Sequence, residues 1–303
     1  MRRLVLIAGV VLLTTSAAGA RVTPRADGAS FAGHLERRHP WLYVSSDRNN
    51  VVTAYDLGIV GAPPVRTITQ GIKTPGGIAL DASGNLYVAN EGGNVTVYSP
   101  KANTPMLTIA GINRPQDVAI DAAANVWVCN RGGQPGIYEF PPGQTTPSEH
   151  ITGSLIQTPN QMAFDASGTL YIGDDSTGVY YLSPGAQTVA TLNLQGFQKE
   201  ESGLAIDPVD GSLFLSNAVE GPYYVTRFAP GATMPEAMRG LSFGGLDFLA
   251  VGAIRGHEHL FVPDSLGDVI YVFKPGLNGN PGVITTASGD VAVGVAFKPA
   301  DVP

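Results

Sequence analysis

The sequence predicts an all-β fold: a six-bladed β-propeller of four-stranded blades, its ring closed by the C-terminal strand joining the N-terminal blade. Three observations carry this prediction. An apolar–Ala–apolar core recurs around Ala79, Ala119, Ala163, Ala205, Ala253 and Ala296, at spacings of 40 to 48 residues. A second strand-like run with an aromatic second position recurs as LYVSS at Leu42, LYVAN at Leu86, VWVCN at Val126, LYIGD at Leu170, LFLSN at Leu213 and LFVPD at Leu260. The 38 Gly, 23 Pro and 14% charged residues describe many turns and few surface helices. A repeat of about 43 residues holding four short strands is the signature of a propeller blade.

In chain order, Met1 to Ala20 reads as a signal peptide rather than structure. Arg2 and Arg3 form a basic start, Leu4 to Leu13 is apolar, and Ala18-Gly19-Ala20 supplies small residues for cleavage after Ala20. The apolar run is half the length of a membrane span, so no stable membrane anchor is expected after cleavage. The protein is expected to be secreted or periplasmic. Residues 21–40 read as a flexible linker, in which His34 and His39 belong to a solvated basic arm. Residues 41–303 are the propeller.

Without Arg2 and Arg3 the formal charge of −7 becomes −9. So acidic a chain lacks the basic footprint that nucleic acid or anionic lipid requires, and no nucleic-acid partner is expected. Cys129 is the single cysteine, so no intramolecular disulfide exists. Its place inside a strand predicts a buried, inert thiol.

The template blade is Gly76 to Asn90. Ile78-Ala79-Leu80 and Leu86-Tyr87-Val88 are strands, and Asp81-Ala82-Ser83-Gly84-Asn85 carries turn chemistry. A third strand follows in each copy and ends at a Pro turn, as in VTVYSP to Pro100, VTRFAP to Pro230 and IYVFKP to Pro275. A weaker fourth strand follows, near Val65, Met106 and Val189. The first copy begins at its second strand, at Trp41, and the last inner strand, Val293 to Phe297, has nothing after it but Pro299 to Pro303. The two ends therefore complete one blade. Stacking the blades radially buries their apolar faces, with Ala at the crowded inner strand and aromatics wedged between blades.

Pro75 to Asn90, and less fully Pro115 to Asn130 and Pro159 to Asp174, resemble the NHL-repeat type of six-bladed propeller, whose blades carry a P-x-G-I-A-x-D-x-x-G-N-L-Y-V-A-D-like core. The resemblance implies the fold and leaves the activity open, because the architecture hosts unrelated functions.

Blade-to-blade connections and the loops between second and third strands meet at one channel mouth. Asn90, Asn130, Asp174, Asn217 and Asp264 repeat there and read as turn caps. Residues that break the repeat are the better site candidates. At the place of Gly77 stand Asp117, Gln161, Gly203, Val251 and Gly294, so Asp117 and Gln161 add polar side chains where other blades have none. Together with Asn160, Glu200, Glu201, Asp247 and Asp290 they form the candidate ligand-binding set. The expected function is a secreted binding module recognising a protein, a glycan or a small polar ligand through this face.

The chain is also distantly similar to gluconolactonase-like propellers, whose channel mouth holds a divalent metal. Pro159-Asn160-Gln161 matches their P-N-G motif in two residues of three, and Pro115-Gln116-Asp117 shifts the carboxylate of P-D-G by one place. That similarity implies an alternative: a lactone or ester hydrolase with one divalent cation, calcium or zinc, and Asp117, Asn160 and Glu201 as metal candidates. The residues themselves name neither a catalytic group nor a cofactor. His257-Glu258-His259 aligns with the turn Ser83-Gly84-Asn85 and is expected to be a solvated turn.

Overall fold

The structure, a computed structural model, describes residues 39–59, 63–196, 201–217, 223–241, 248–254, 256–264, 267–286 and 292–298. The leader and nearly all of the linker lie outside these residues.

The described residues form 24 strands in six four-stranded antiparallel sheets. Blade 1 takes β1 (Trp41–Ser46), β2 (Val51–Asp56) and β3 (Arg66–Ile68). Blade 2 is β4 (Pro75–Leu80), β5 (Leu86–Asn90), β6 (Asn94–Tyr98) and β7 (Leu107–Ala110). Blade 3 is β8 (Pro115–Ile120), β9 (Val126–Asn130), β10 (Gly136–Phe140) and β11 (Glu149–Ile151). Blade 4 is β12 (Pro159–Phe164), β13 (Leu170–Asp174), β14 (Gly178–Leu182) and β15 (Ala190–Thr191). Blade 5 is β16 (Glu201–Ile206), β17 (Leu213–Asn217), β18 (Tyr223–Phe228) and β19 (Ala237–Leu241). Blade 6 is β20 (Ala250–Ile254), β21 (His257–Asp264), β22 (Val269–Phe273) and β23 (Gly282–Thr285).

The last strand, β24 (Gly294–Lys298), closes the ring. It pairs antiparallel with β1 from Trp41↔Lys298 to Ser45↔Gly294, giving blade 1 the order β24-β1-β2-β3. The inner strands β24, β4, β8, β12, β16 and β20 neighbour one another around the channel.

Local chemistry explains why each inner hairpin turns where it does. The Asp81 carboxylate accepts from the amides of Ser83 and Asn85 at 2.9 Å each and from Asn85 Nδ2 at 2.7 Å. Asp121 does the same with Ala123 and Asn125, and Asp165 with Ser167 and Thr169. An aspartate that satisfies two turn amides makes the reversal local and independent of tertiary packing.

Six apolar clusters form the core, one at each interface between blades. The aromatic of each second strand faces the following blade: Tyr43 packs with Ile78 and Val88 of blade 2, and Tyr87 with Val118 and Val128 of blade 3. Phe214 meets Leu249 and Leu260, and Phe261 meets Leu42 and Val44. No sheet could bury these rings alone. Cys129 is fully buried at the interface of blades 3 and 4, and burial holds its thiol well above the ordinary range, consistent with an inert side chain.

Two features of blade 6 correct the sequence reading. In every other blade the inner-strand Ala stands opposite the second-strand aromatic, as in Ala79↔Tyr87, Ala119↔Trp127 and Ala296↔Tyr43. In blade 6 the residue opposite Phe261 is Ala250, not Ala253. Ala250 packs into the interface with blade 1, whereas Ala253 is exposed and stands opposite Glu258. The equivalent of Gly77 is therefore Phe248 rather than Val251. The hairpin of this blade also runs three residues further. His257, Glu258 and His259 are strand residues paired with Ile254, Ala253 and Gly252, not a turn.

Candidate functional site

Three strand-end residues at the channel mouth, Asn90, Asn130 and Asp174, are turn caps. Asn90 Oδ1 accepts from the Lys73 amide and Asn130 Oδ1 from the Arg114 amide, each at 2.9 Å, and Asp174 Oδ2 accepts from the Gln157 and Thr158 amides at 2.8 Å. All three are buried. Each fastens the connection entering its own blade, which is why this residue type repeats.

The residues that break the repeat do something else. The free edge of each inner strand turns backbone groups toward the channel, and these need partners if water does not reach them. Asp117 Oδ2 accepts from the Met162 amide of blade 4 at 2.8 Å. Gln161 Oε1 accepts from the amides of Leu204 in blade 5 and Leu249 at the start of blade 6, the latter at 3.1 Å. Gln161 Nε2 donates to the Leu249 carbonyl at 2.9 Å. A glutamine suits this task because one planar group both accepts and donates.

On the other side of the ring the blades approach through backbone. Ser45 Oγ donates to the Gly76 carbonyl at 2.6 Å and accepts from the Gly294 amide at 2.8 Å. A Cβ on Gly76 would lie 2.5 Å from the Gln116 carbonyl oxygen, one on Gly294 equally close to the Gly76 carbonyl oxygen, and one on Gly77 would collide with Asp117 Oδ1. The Phe248 amide donates to the Val293 carbonyl at 3.2 Å, joining blade 6 to blade 1. These contacts form a belt that passes through all six blades at one level of the channel. Below it lies a cavity of about 280 Å³ lined by the six inner strands, including Ala79, Ala119, Ala163, Ala205, Ala250 and Ala296.

Asp117 is 3% exposed, and no basic side chain is hydrogen-bonded to it among the described residues. Burial pushes its carboxyl from 3.8 up to about 7, against hydrogen bonds from the Met162 and Val118 amides. Because the folded value is the higher one, the folded protein holds an extra proton between these limits. The resulting stability is fully present below about pH 4 and is lost as pH rises through about 7. Wild-type stability should therefore fall between about pH 4 and pH 7 and level off above that, with up to about 4 kcal/mol traceable to this group. Thermal melts of Asp117→Asn should be flatter over the same range; parallel profiles for the two proteins would contradict the assignment.

Above the belt, blades 3 and 4 assemble a polar cluster at the mouth. Arg131 forms an ion pair with Asp175, its other guanidinium nitrogen lies 3.4 Å from Gln116 Oε1, and Asn160 also hydrogen-bonds the Asp175 carboxylate. Burial raises the Asp175 carboxyl although Arg131 and Asn160 both pull it down. Two buried side-chain atoms remain without a hydrogen-bond partner here, Gln116 Nε2 and Asp175 Oδ1. One is a donor and the other an acceptor. A second ion pair, Arg114 with Glu91 at 2.9 Å, stands on the rim between blades 2 and 3.

Of the seven candidates read from the sequence, the structure gathers Asp117, Asn160 and Gln161 at the mouth and belt of blades 3 and 4. Glu200, Asp247, Asp290 and the side chain of Glu201 lie outside the described residues. Arg131, Asp175 and Gln116 belong to the cluster but not to that set. The signal that points to Arg131 is its sign: it is the one Lys or Arg in 115–190. Among the described residues no three His, Cys, Asp or Glu side chains converge as metal ligands.

No known protein family and no curated protein matches the chain. Solved structures do match, 1318 chains of them. One, from the crystal structure of a nidogen/laminin complex, superposes with a TM-score of 0.69 at 12% identity, covering 87% of this chain and 99% of that one. The likeness shows the fold. It extends over nearly the whole of the matched chain. At such identity it says nothing of which repeat type this is or what it binds.

Proposed function

We propose that the chain is a secreted or periplasmic, NHL-like propeller that works as a binding module through its polar channel mouth. The leader-like Met1 to Ala20 supports export, and the Pro75 to Asn90 core supports the NHL type. Propellers commonly serve as interaction modules, and this one adds a specific cluster at its mouth. The observation that carries the reading is the pair of unpartnered atoms beside Arg131. A buried donor and a buried acceptor left unpaired cost stability, and because Asp175 balances the Arg131 charge they fit a ligand that presents hydroxyl or amide groups able both to donate and to accept. Neutral glycans and peptides rich in amide side chains are ligands of this kind.

Among the described residues no helix is long and apolar enough to cross a membrane. Nothing in the described residues gathers the ligand set that the hydrolase alternative needs.

The test uses the chain from residue 21 onward, titrated calorimetrically with neutral oligosaccharides and with Asn/Gln-rich peptides. Binding by one class, weakened at least tenfold in Arg131→Met and in Gln116→Leu, is the expected outcome. Absence of heat with every probe up to millimolar concentration, or binding that both variants leave unchanged, would overturn the reading.

A further inference from the structure

A second cleft lies between blades 3 and 4 at the opposite end of the strands from the mouth. Its volume is about 390 Å³, and its walls are mainly apolar, with Trp127 and Phe164 edge-to-face at 6.0 Å. Three carboxylates, Asp121, Glu139 and Glu149, line it, and no Lys or Arg does. Each carboxylate is held only by neutral donors. Trp127 Nε1 donates to Asp121 at 3.1 Å, Ser148 Oγ to Glu139 at 3.2 Å and Gln187 Nε2 to Glu149 at 2.9 Å.

The charge arrangement is uncompensated in a second way. Glu139 and Glu149 stand directly opposite each other in the β10–β11 pairing, where like charges destabilise a sheet. Burial, Glu149 and Asp121 all push the Glu139 carboxyl upward. The one Lys or Arg in these two blades, Arg131, sits at the mouth and is paired with Asp175, and His150, next to Glu149, stacks on Tyr138 with burial lowering its imidazole's affinity for a proton. An aromatic-walled cleft with a carboxylate rim and no internal cation is complementary to a positive charge on an apolar stem. The ring faces attract the cation, the carboxylates bond it, and the stem covers the walls.

We propose that this cleft receives a lysine or arginine side chain presented by a protein partner, at a site separate from the channel mouth. The cleft has room for one such side chain and its flanking backbone. The reading is independent of the mouth, so Arg131→Met leaves this binding unchanged.

The test titrates the chain from residue 21 onward with acetylated, amidated Gly-Lys-Gly, Gly-Arg-Gly and Gly-Glu-Gly peptides. Nuclear magnetic resonance shifts report affinity and Trp127 emission reports location, with Trp127→Phe as the reference for the second tryptophan. Saturable binding of the basic peptides only, at least tenfold weaker in the double variant Glu139→Gln/Glu149→Gln, is expected. Both changes keep the size of the side chains, and a cooperative thermal transition at or above the wild-type temperature confirms that the double variant folds. Glu236→Gln, on blade 5, is the control for diffuse electrostatics. Equal loss in that control, no binding of either basic peptide, or tighter binding of free butylammonium than of the peptides would each overturn the proposal.

Discussion

Truncation after residue 293 should abolish the folded ring. The strand removed, β24, is the inner strand of blade 1, and five of its residues pair with β1. Its loss strips the cover from Tyr43, which shares a cluster with Ala296, and from Leu42 and Val44, which share one with Val295. It also removes the Gly294 amide from Ser45 Oγ and the Val293–Phe248 link from its supporting strand. The edge of β1 would be left open to solvent or to pairing with another chain. These losses fall on both interfaces of one blade, so the cost approaches the whole stability of a domain, on the order of 5–15 kcal/mol. The expected result is a chain without a cooperative thermal transition, prone to aggregation. A truncated protein that melts cooperatively near the wild-type temperature would show that blade 1 does not need its C-terminal strand.

Replacing Gln161 should be the most damaging single substitution at the channel. Gln161→Ala leaves the Leu204 and Leu249 amides and the Leu249 carbonyl without side-chain partners in a buried setting. At about 1–3 kcal/mol for each unsatisfied group, tempered by water entering the cavity below, the loss is roughly 3–6 kcal/mol. For a domain of this size that corresponds to a fall in Tm of roughly 10 °C or more. Gln161→Glu separates the two roles. It keeps an acceptor for the amides but cannot donate to the Leu249 carbonyl unless protonated, so its deficit should shrink as pH is lowered. Equal deficits for the Ala and Glu variants at every pH would mean that the amide dipole is not what joins these blades.

Much of the fold is legible in the sequence because blade chemistry is local. Asp81, Asp121 and Asp165 build their turns from their own neighbours, and the aromatic of each second strand marks the interface it fills. The missing inner strand before Trp41 and the surplus one after Val293 announce the closure. Blade 6 is misread because two consecutive segments, Phe248 to Val251 and Gly252 to Arg255, both offer a pattern centred on Ala. What decides between them is packing of Ala250 against blade 1, a contact with residues about two hundred positions away. Asp117 and Gln161 are visible as departures from the repeat. Their partners are not, because the amides they satisfy belong to strands 43 to 88 residues further along the chain. The Arg131–Asp175 pair is hidden for the same reason, its members being 44 residues apart on different blades.

Asp117 and Gln161 spend hydrogen-bonding capacity on joining blades 3 to 6, whereas on the rim above them, the face we propose for binding, Gln116 Nε2 and Asp175 Oδ1 stay unpaired. Amide-resolved hydrogen exchange tests this most directly. The amides of Met162, Leu204 and Leu249 lie on channel-facing edges with no neighbouring strand to bond them. The belt predicts that all three exchange slowly in the wild type, and that Leu204 and Leu249, but not Met162, become fast in Gln161→Ala. Fast exchange of all three in the wild type would show an open, water-filled channel and contradict the belt.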